Sequence, residues 1–285
     1  MAIAPLRHLA PTSAPAPHRA EPPTGPTVQI DPARIRELTA RESQRLDART
    51  QASAAAYARA KESLVGGVSS SYQKRAPWPI YLERGQGQYV WDVDGHQYLD
   101  VHNGIGSMVQ GHAHPIITEA VDRRIRLGSH FAAPTEDVYV VAELLAARWG
   151  LPRWRFVNSG SEATMDAIRL ARAVTRRDGV MKIFGSYHGH HDYVMVDIGL
   201  SVYEGTDREH YPSIAYGKGI PDAVTQMTIA VPFNDAGVLE RRLAELESQG
   251  NLPACLIMEA AMMNCGVILP ESGYLAEVRR ITKRF

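Results

Sequence analysis

FVNSGSEATMDAIRLARAVTRRDGVMKIFGSYHGHHD, residues 156–192, is the stretch that decides the fold. The run RWRFV (153–157) predicts a strand, the residues between Glu162 and Val174 alternate with a helical period, and VMKIF (180–184) predicts a second strand. Small residues, Ser159-Gly160-Ser161, lie between the first strand and the helix, and a polar cluster, residues 186–192, follows the second strand. This is one strand–helix–strand unit with chemistry-bearing side chains at both strand ends.

Downstream the alternation continues. YVMV (193–196), MTIAV (227–231) and ACLIM (254–258) predict further strands, with helices at 236–248 and from Gly273 to the end. That order predicts an α/β fold: a mainly parallel sheet with helices on both faces. Upstream the pattern changes. Residues 80–101 have period two and carry the turn dipeptide Asp94-Gly95, which predicts a small antiparallel meander. Helical patterns follow at 114–127 and, behind the cap Thr135, at 136–149. Asp31-Pro32 reads as an N-cap with proline in the first turn, opening one long or two shorter helices that Gly66-Gly67 bring to an end. The first 30 residues, dominated by Pro, Ala, Thr and Ser, predict a disordered tail. The expected divisions are this tail, a helix-and-meander segment over 31–110, and a large domain over 111–285.

Composition narrows the partners. Of 285 residues, 31 are Lys or Arg and 31 are Asp or Glu, so no net field draws the chain to nucleic acid or anionic lipid. A small-molecule partner is expected instead. Two cysteines, Cys255 and Cys265, are too few for a disulfide framework, and Cys255 in its apolar run reads as a buried reduced thiol. A cytoplasmic setting follows, and no apolar run approaches the roughly 20 residues of a membrane helix.

Ser159, Gly160 and Ser161 stand where a strand ends and a helix begins. Unpaired N–H groups and the helix dipole make such a place an anion site, to which two hydroxyls add donors. A lone S-G-S there is more often an ordinary serine N-cap, and its neighbours decide. Tyr187 and His188 begin the second cluster, and in open α/β sheets two adjacent strand ends with polar loops share one crevice. Tyr187 offers a flat face for a heteroaromatic ring, or ordinary packing. His188, His190 and Asp192 also fit the spacing H-x-H-x-D of a class of binuclear metal hydrolases, although Tyr193 stands where that signature has its next histidine.

Read together, NSGSEATMDAIRLARAVTRRD and FGSYHGHHD resemble the class III, fold-type I pyridoxal-phosphate enzymes, nearest to the glutamate-1-semialdehyde 2,1-aminomutase branch and its aminotransferase relatives. The resemblance runs from about Gly66 to the end, through VWDVDG, GHAHP at 111–115, Phe131–Pro134 as F-x-x-P, and IME followed by Asn264-Cys265-Gly266. It implies a fold-type I domain binding pyridoxal 5'-phosphate, a small-molecule amino donor and acceptor, and a homodimer. It further implies that Ser159, Gly160 and Ser161 hold the phosphate, that Tyr187 stacks on the ring with His188 in support, and that Glu259 and Asn264 border the ring.

Departures accompany the matches. Gln73, with Lys74 and Arg75 beside it, stands where the aminomutases have an arginine suited to a substrate carboxylate, which makes Gln73 the candidate substrate contact. None of Lys61, Lys74, Lys182, Lys218 or Lys283 stands in the motif of the lysine that links the family's cofactor covalently. Lys182 and Lys283 read as solvated or snorkelling side chains. The expectation is therefore the N-terminal portion of an aminotransferase or aminomutase, its large domain incomplete and turnover absent, the alternatives being the metal hydrolase and a non-catalytic pseudoenzyme fragment.

Overall fold

The computed structural model describes residues 31–198, 207 and 209–285, so the tail 1–30 lies outside the described residues. The chain divides into two compact units between Val140 and Val141.

In the first of these units along the described chain, α1 (Pro32–Arg49) opens on Asp31, whose carboxylate accepts the Ala33 N–H at 2.8 Å. Two shorter helices form rather than one, because Thr50 interrupts the run before α2 (Gln51–Ala60). Its buried hydroxyl donates to Leu46 O and accepts from Trp78 Nε1, which fixes the break. Gly66 and Gly67 both adopt φ of 68°, a left-handed geometry that suits glycine, at the end of the helical region. A 3₁₀ turn at Ser71–Gln73 precedes the meander β1 (Leu82–Gln86), β2 (Tyr89–Asp92) and β3 (Gln97–Leu99). All pairs are antiparallel, with Val90 opposite both Gly85 and Tyr98. The turn carries more than a change of direction: Asp94 accepts from Ala52 N, Ser53 N and Ser53 Oγ, capping α2 from a distant position. A short irregular turn, α3 (Asn103–Gly106), and α4 (Pro115–Ile125) follow; α5 (Glu136–Trp149) spans the division between the units.

The other unit holds α6 (Gly160–Thr175), β4 (Val180–Ile183), α7 (Asp222–Thr225), β5 (Thr228–Val231), α8 (Ala236–Ser248), β6 (Cys255–Ile257) and α9 (Tyr274–Arg284). The sheet order is β5-β4-β6, all parallel, with β4 central. Alternation along β4 sorts the two faces. Met181 and Ile183 pack with Leu239, Leu243 and Leu246 of α8 and Val278 and Ile281 of α9, while Val180 packs with Ile168 of α6 and Val194. Helices therefore cover both faces, as an apolar central strand requires.

Three expectations need correction. RWRFV (153–157) forms no strand: it has no ladder partner among the described residues, and Phe156 and Val157 are exposed. β-propensity without a neighbouring strand does not make a ladder. YVMV (193–196) is a turn ending in one isolated bridge, Val196 to Ala215. Val194, Met195 and Val196 are apolar because they are buried against the sheet, not because they extend it. Lys182 is neither solvated nor snorkelling, with no exposed surface at all. β4 has a strand on each side and a helix layer on each face, so its side chain has no route to water. Lys283, by contrast, is exposed on α9. Cys255 and Cys265 are free and half-buried. No helix among the described residues is long and apolar enough to cross a membrane.

Candidate functional site

The N-terminus of α6 closes with a capping box. Ser159 Oγ accepts from Glu162 N at 3.2 Å, and the Glu162 carboxylate accepts from Ser159 N at 3.2 Å and Asn158 N at 2.6 Å. Two features leave the place usable. Ser159 Oγ, occupied as an acceptor, retains its own proton, and a Cβ on Gly160 would have no atom within 4 Å, so the space beside that backbone is open.

The loop after β4 is drawn onto this helix end. Ser161 Oγ accepts from His190 N at 2.9 Å, and the Thr164 hydroxyl lies 2.6 Å from His188 O and 3.1 Å from His191 Nε2. Contact is close enough to require glycine at 189, where a Cβ would stand 2.6 Å from Ser161 Oγ and φ is 105°. From the other side, Glu259, just past β6, accepts Tyr187 N at 3.0 Å, and through its second oxygen Met263 N at 2.7 Å and Asn264 N at 3.2 Å. Asn264 Nδ2 and Cys265 Sγ both donate to Gly185 O. Ser159, Gly160, Ser161, Tyr187, His188, Glu259 and Asn264 are thus gathered around one loop at the carboxyl end of β4, on adjoining elements.

Within that cluster Tyr187 is 46% exposed while His188 is 9% exposed. Burial, reinforced by the neighbouring Lys182, lowers the His188 pKa to about 4, so the ring is neutral near pH 7. Its Nε2 is buried without a partner among the described residues. Burial also lowers Lys182 to about 8, against the opposing pull of Asp197, Cys265 and Glu259. Burial, with Glu259 adding to it, raises the Cys265 thiol.

Sequence reasoning missed Lys182 and Thr164. Lys182 had a signal: an ionisable residue third in the apolar strand VMKI, covered on both faces, must find internal partners. Thr164 had none, since its role depends on the loop's return.

The metal reading is not supported by the geometry. His188 is buried whereas His190 and Asp192 are exposed, and no group of three or more His, Cys, Asp or Glu among the described residues could hold a metal ion. Gln73, in the other unit, closes its own turn: its Oε1 accepts from Ser69 Oγ at 2.8 Å and Ser70 N at 3.2 Å. It lines a cavity of about 690 Å³ with Tyr72, Lys74, Arg75, His102 and His112. Arg75 is engaged by Asp47 and Trp78 O, whereas Lys74 makes no ion pair among the described residues.

The cluster fits a phosphorylated planar cofactor: an open backbone at a long helix's N-terminus with spare hydroxyl protons, and beside it an exposed aromatic ring. The comparisons point the same way. A profile of the aminotransferase class-III family matches residues 70–285. The chain is 41% identical over 225 residues to a glutamate-1-semialdehyde 2,1-aminomutase of Methanocaldococcus jannaschii, a match covering 79% of this chain and 50% of that one. A transaminase with PLP bound is 34% identical with a TM-score of 0.73, over 82% of this chain and 53% of that one. A glutamate-1-semialdehyde aminomutase of Pseudomonas aeruginosa PAO1 in complex with PMP is 31% identical with a TM-score of 0.78, over 90% and 54%. The chain spans about half the length of the curated relatives it matches.

Proposed function

The chain belongs to the aminotransferase class-III family, and from that premise we propose that it carries the phosphate- and ring-binding portion of an enzyme moving an amino group between a small amino acid and an aldehyde or keto compound, in the manner of glutamate-1-semialdehyde 2,1-aminomutase. When bound, pyridoxal phosphate supplies an electron sink for the substrate carbon that bears the amino group. In this reading the backbone of Gly160 and Ser161 and the hydroxyls of Ser159 and Ser161 bind the phosphate. Tyr187 presents its ring as the stacking face, and neutral His188 backs it. Glu259, committed to three backbone N–H groups, orients the loop and Asn264. None of the five lysines is proposed as the covalent anchor; Lys182 in particular is enclosed by carbonyls.

Gln73 remains the proposed substrate contact, through its amide nitrogen, and Lys74 beside it is a cation with no ion-pair partner among the described residues. The family also supports a homodimer as the working form. The observation that carries the reading is the hydrogen-bonded junction of α6, the loop after β4 and the segment after β6.

Pyridoxamine 5'-phosphate tests it, because this probe lacks an aldehyde and does not react with surface lysines. In equilibrium dialysis Ser159→Ala and Tyr187→Ala should each weaken binding by about tenfold, the scale of one lost hydrogen bond to a charged group or one stacked ring. Affinity unchanged in both variants would remove the junction from the cofactor site.

A further inference from the structure

Lys182 is a charged residue at a place where an aliphatic side chain would serve the fold. Its strand neighbours Val180, Met181 and Ile183 are all fully buried and apolar. An ammonium there is tolerated only if its N–H groups are satisfied inside the protein. They are: Nζ donates to Val196 O at 2.6 Å, Ser186 O at 2.8 Å and Val194 O at 3.4 Å. These acceptors flank the functional loop on both sides, one immediately before Tyr187 and two on the segment that returns. The three consecutive residues of the platform are each held by a different side chain: Ser186 O by Lys182, Tyr187 N by Glu259, and His188 O by Thr164.

We propose that Lys182 is the positioning residue of the ring platform, its buried ammonium fixing the backbone from which Tyr187 projects by joining Ser186 to the returning carbonyls of Val194 and Val196. This rests on reading the junction as the cofactor site. Glu259 and Thr164 fix the platform against its neighbours; Lys182 is the side chain among the described residues that ties its two ends together, beside the main-chain bond from Gly185 N to Asp197 O at 2.8 Å. Removing the ammonium takes the donor from three buried carbonyls and loosens the loop, leaving the strand's apolar packing in place.

The test compares the protein with its Lys182→Met and Lys182→Gln variants for binding of pyridoxamine 5'-phosphate, with far-UV circular dichroism as the check on folding. Lys182→Met should lose about tenfold or more in affinity, the scale of a misplaced binding group. Lys182→Gln, which keeps two N–H donors, should recover part of it. Amide hydrogen exchange should quicken over residues 186–197 in Lys182→Met while β5 and α8 are unchanged. A further readout is one that loss of packing would not move. The affinity advantage of the lysine over Lys182→Gln should narrow as pH rises through about 8, where the ammonium, facing Asp197, His188, Glu259 and Cys265, gives up a proton. A folded Lys182→Met that binds within about twofold of the parent, the resolution of such a titration, overturns the proposal. Should Lys182→Met fail to fold, the same criterion applied to Lys182→Gln decides. Absence of binding by the parent overturns the cofactor reading, and this proposal with it.

Discussion

His188, on the loop after β4, and Lys182, on β4 itself, are buried ionisable side chains, and each links stability to pH with a sign that can be worked out. His188 titrates near 4 when folded and near 6.5 when free, so the unfolded chain takes up its proton first on acidification. The stability due to the neutral buried ring is complete above pH 6.5 and is lost as pH falls toward 4, on the order of 3 kcal/mol in all. Thermal unfolding between pH 7 and 4 should show a fall that His188→Phe reduces; equal falls would mean that the ring is hydrated. For Lys182 the folded pKa of about 8 lies below the ordinary 10.5. Its charge therefore costs the folded state in full below pH 8, and the cost is relieved as pH rises from 8 to 10.5. Relative to Lys182→Met, the parent should gain stability across that window, and a flat difference would show that the amine keeps its ordinary pKa.

At the scale of elements, α6 and the loop after β4 make one device, and Gly189 is where they touch. A side chain there meets both a left-handed backbone and the Ser161 Cα at 2.7 Å. Gly189→Ala should cost about 2 kcal/mol or more, measured by denaturant unfolding, and should weaken pyridoxamine 5'-phosphate binding as well. Gly160→Ala meets open space and should do far less to stability. Elements with a local cause were legible in the sequence: α6 from its helical period behind Ser159, α8 from its place in the strand–helix alternation, and the meander from Asp94-Gly95. The strands Val180–Ile183, Thr228–Val231 and Cys255–Ile257 were legible from apolar runs of strand length. RWRFV and YVMV were misread because an apolar run reports burial or propensity, whereas a strand needs a partner. For the proposed site, side-chain type and place pointed to Ser159 and Tyr187, while Glu259 came from the family resemblance. Thr164 gave no signal, and Lys182 signalled only a need for internal partners, because those partners are main-chain carbonyls brought near by the loop's return.

For the molecule as a whole, the open question is what meets its apolar surface. α4 carries Ile117, Val121 and Ile125 at four-residue intervals, a stripe along one face, and all are exposed at 44–56%. Three aligned apolar side chains in water on one helix mark an interaction face rather than scattered exposure. The homodimer proposed from the family gives that stripe an occupant, a second copy of the chain, and a two-fold contact would set the same residues of both copies against each other. Sedimentation should then show a dimer at micromolar concentration. Val121→Glu would place like charges at the centre of such a contact and should shift the protein to monomer without changing its circular dichroism. A dimer that Val121→Glu leaves intact would place the contact elsewhere. A monomeric parent would refute the homodimer itself.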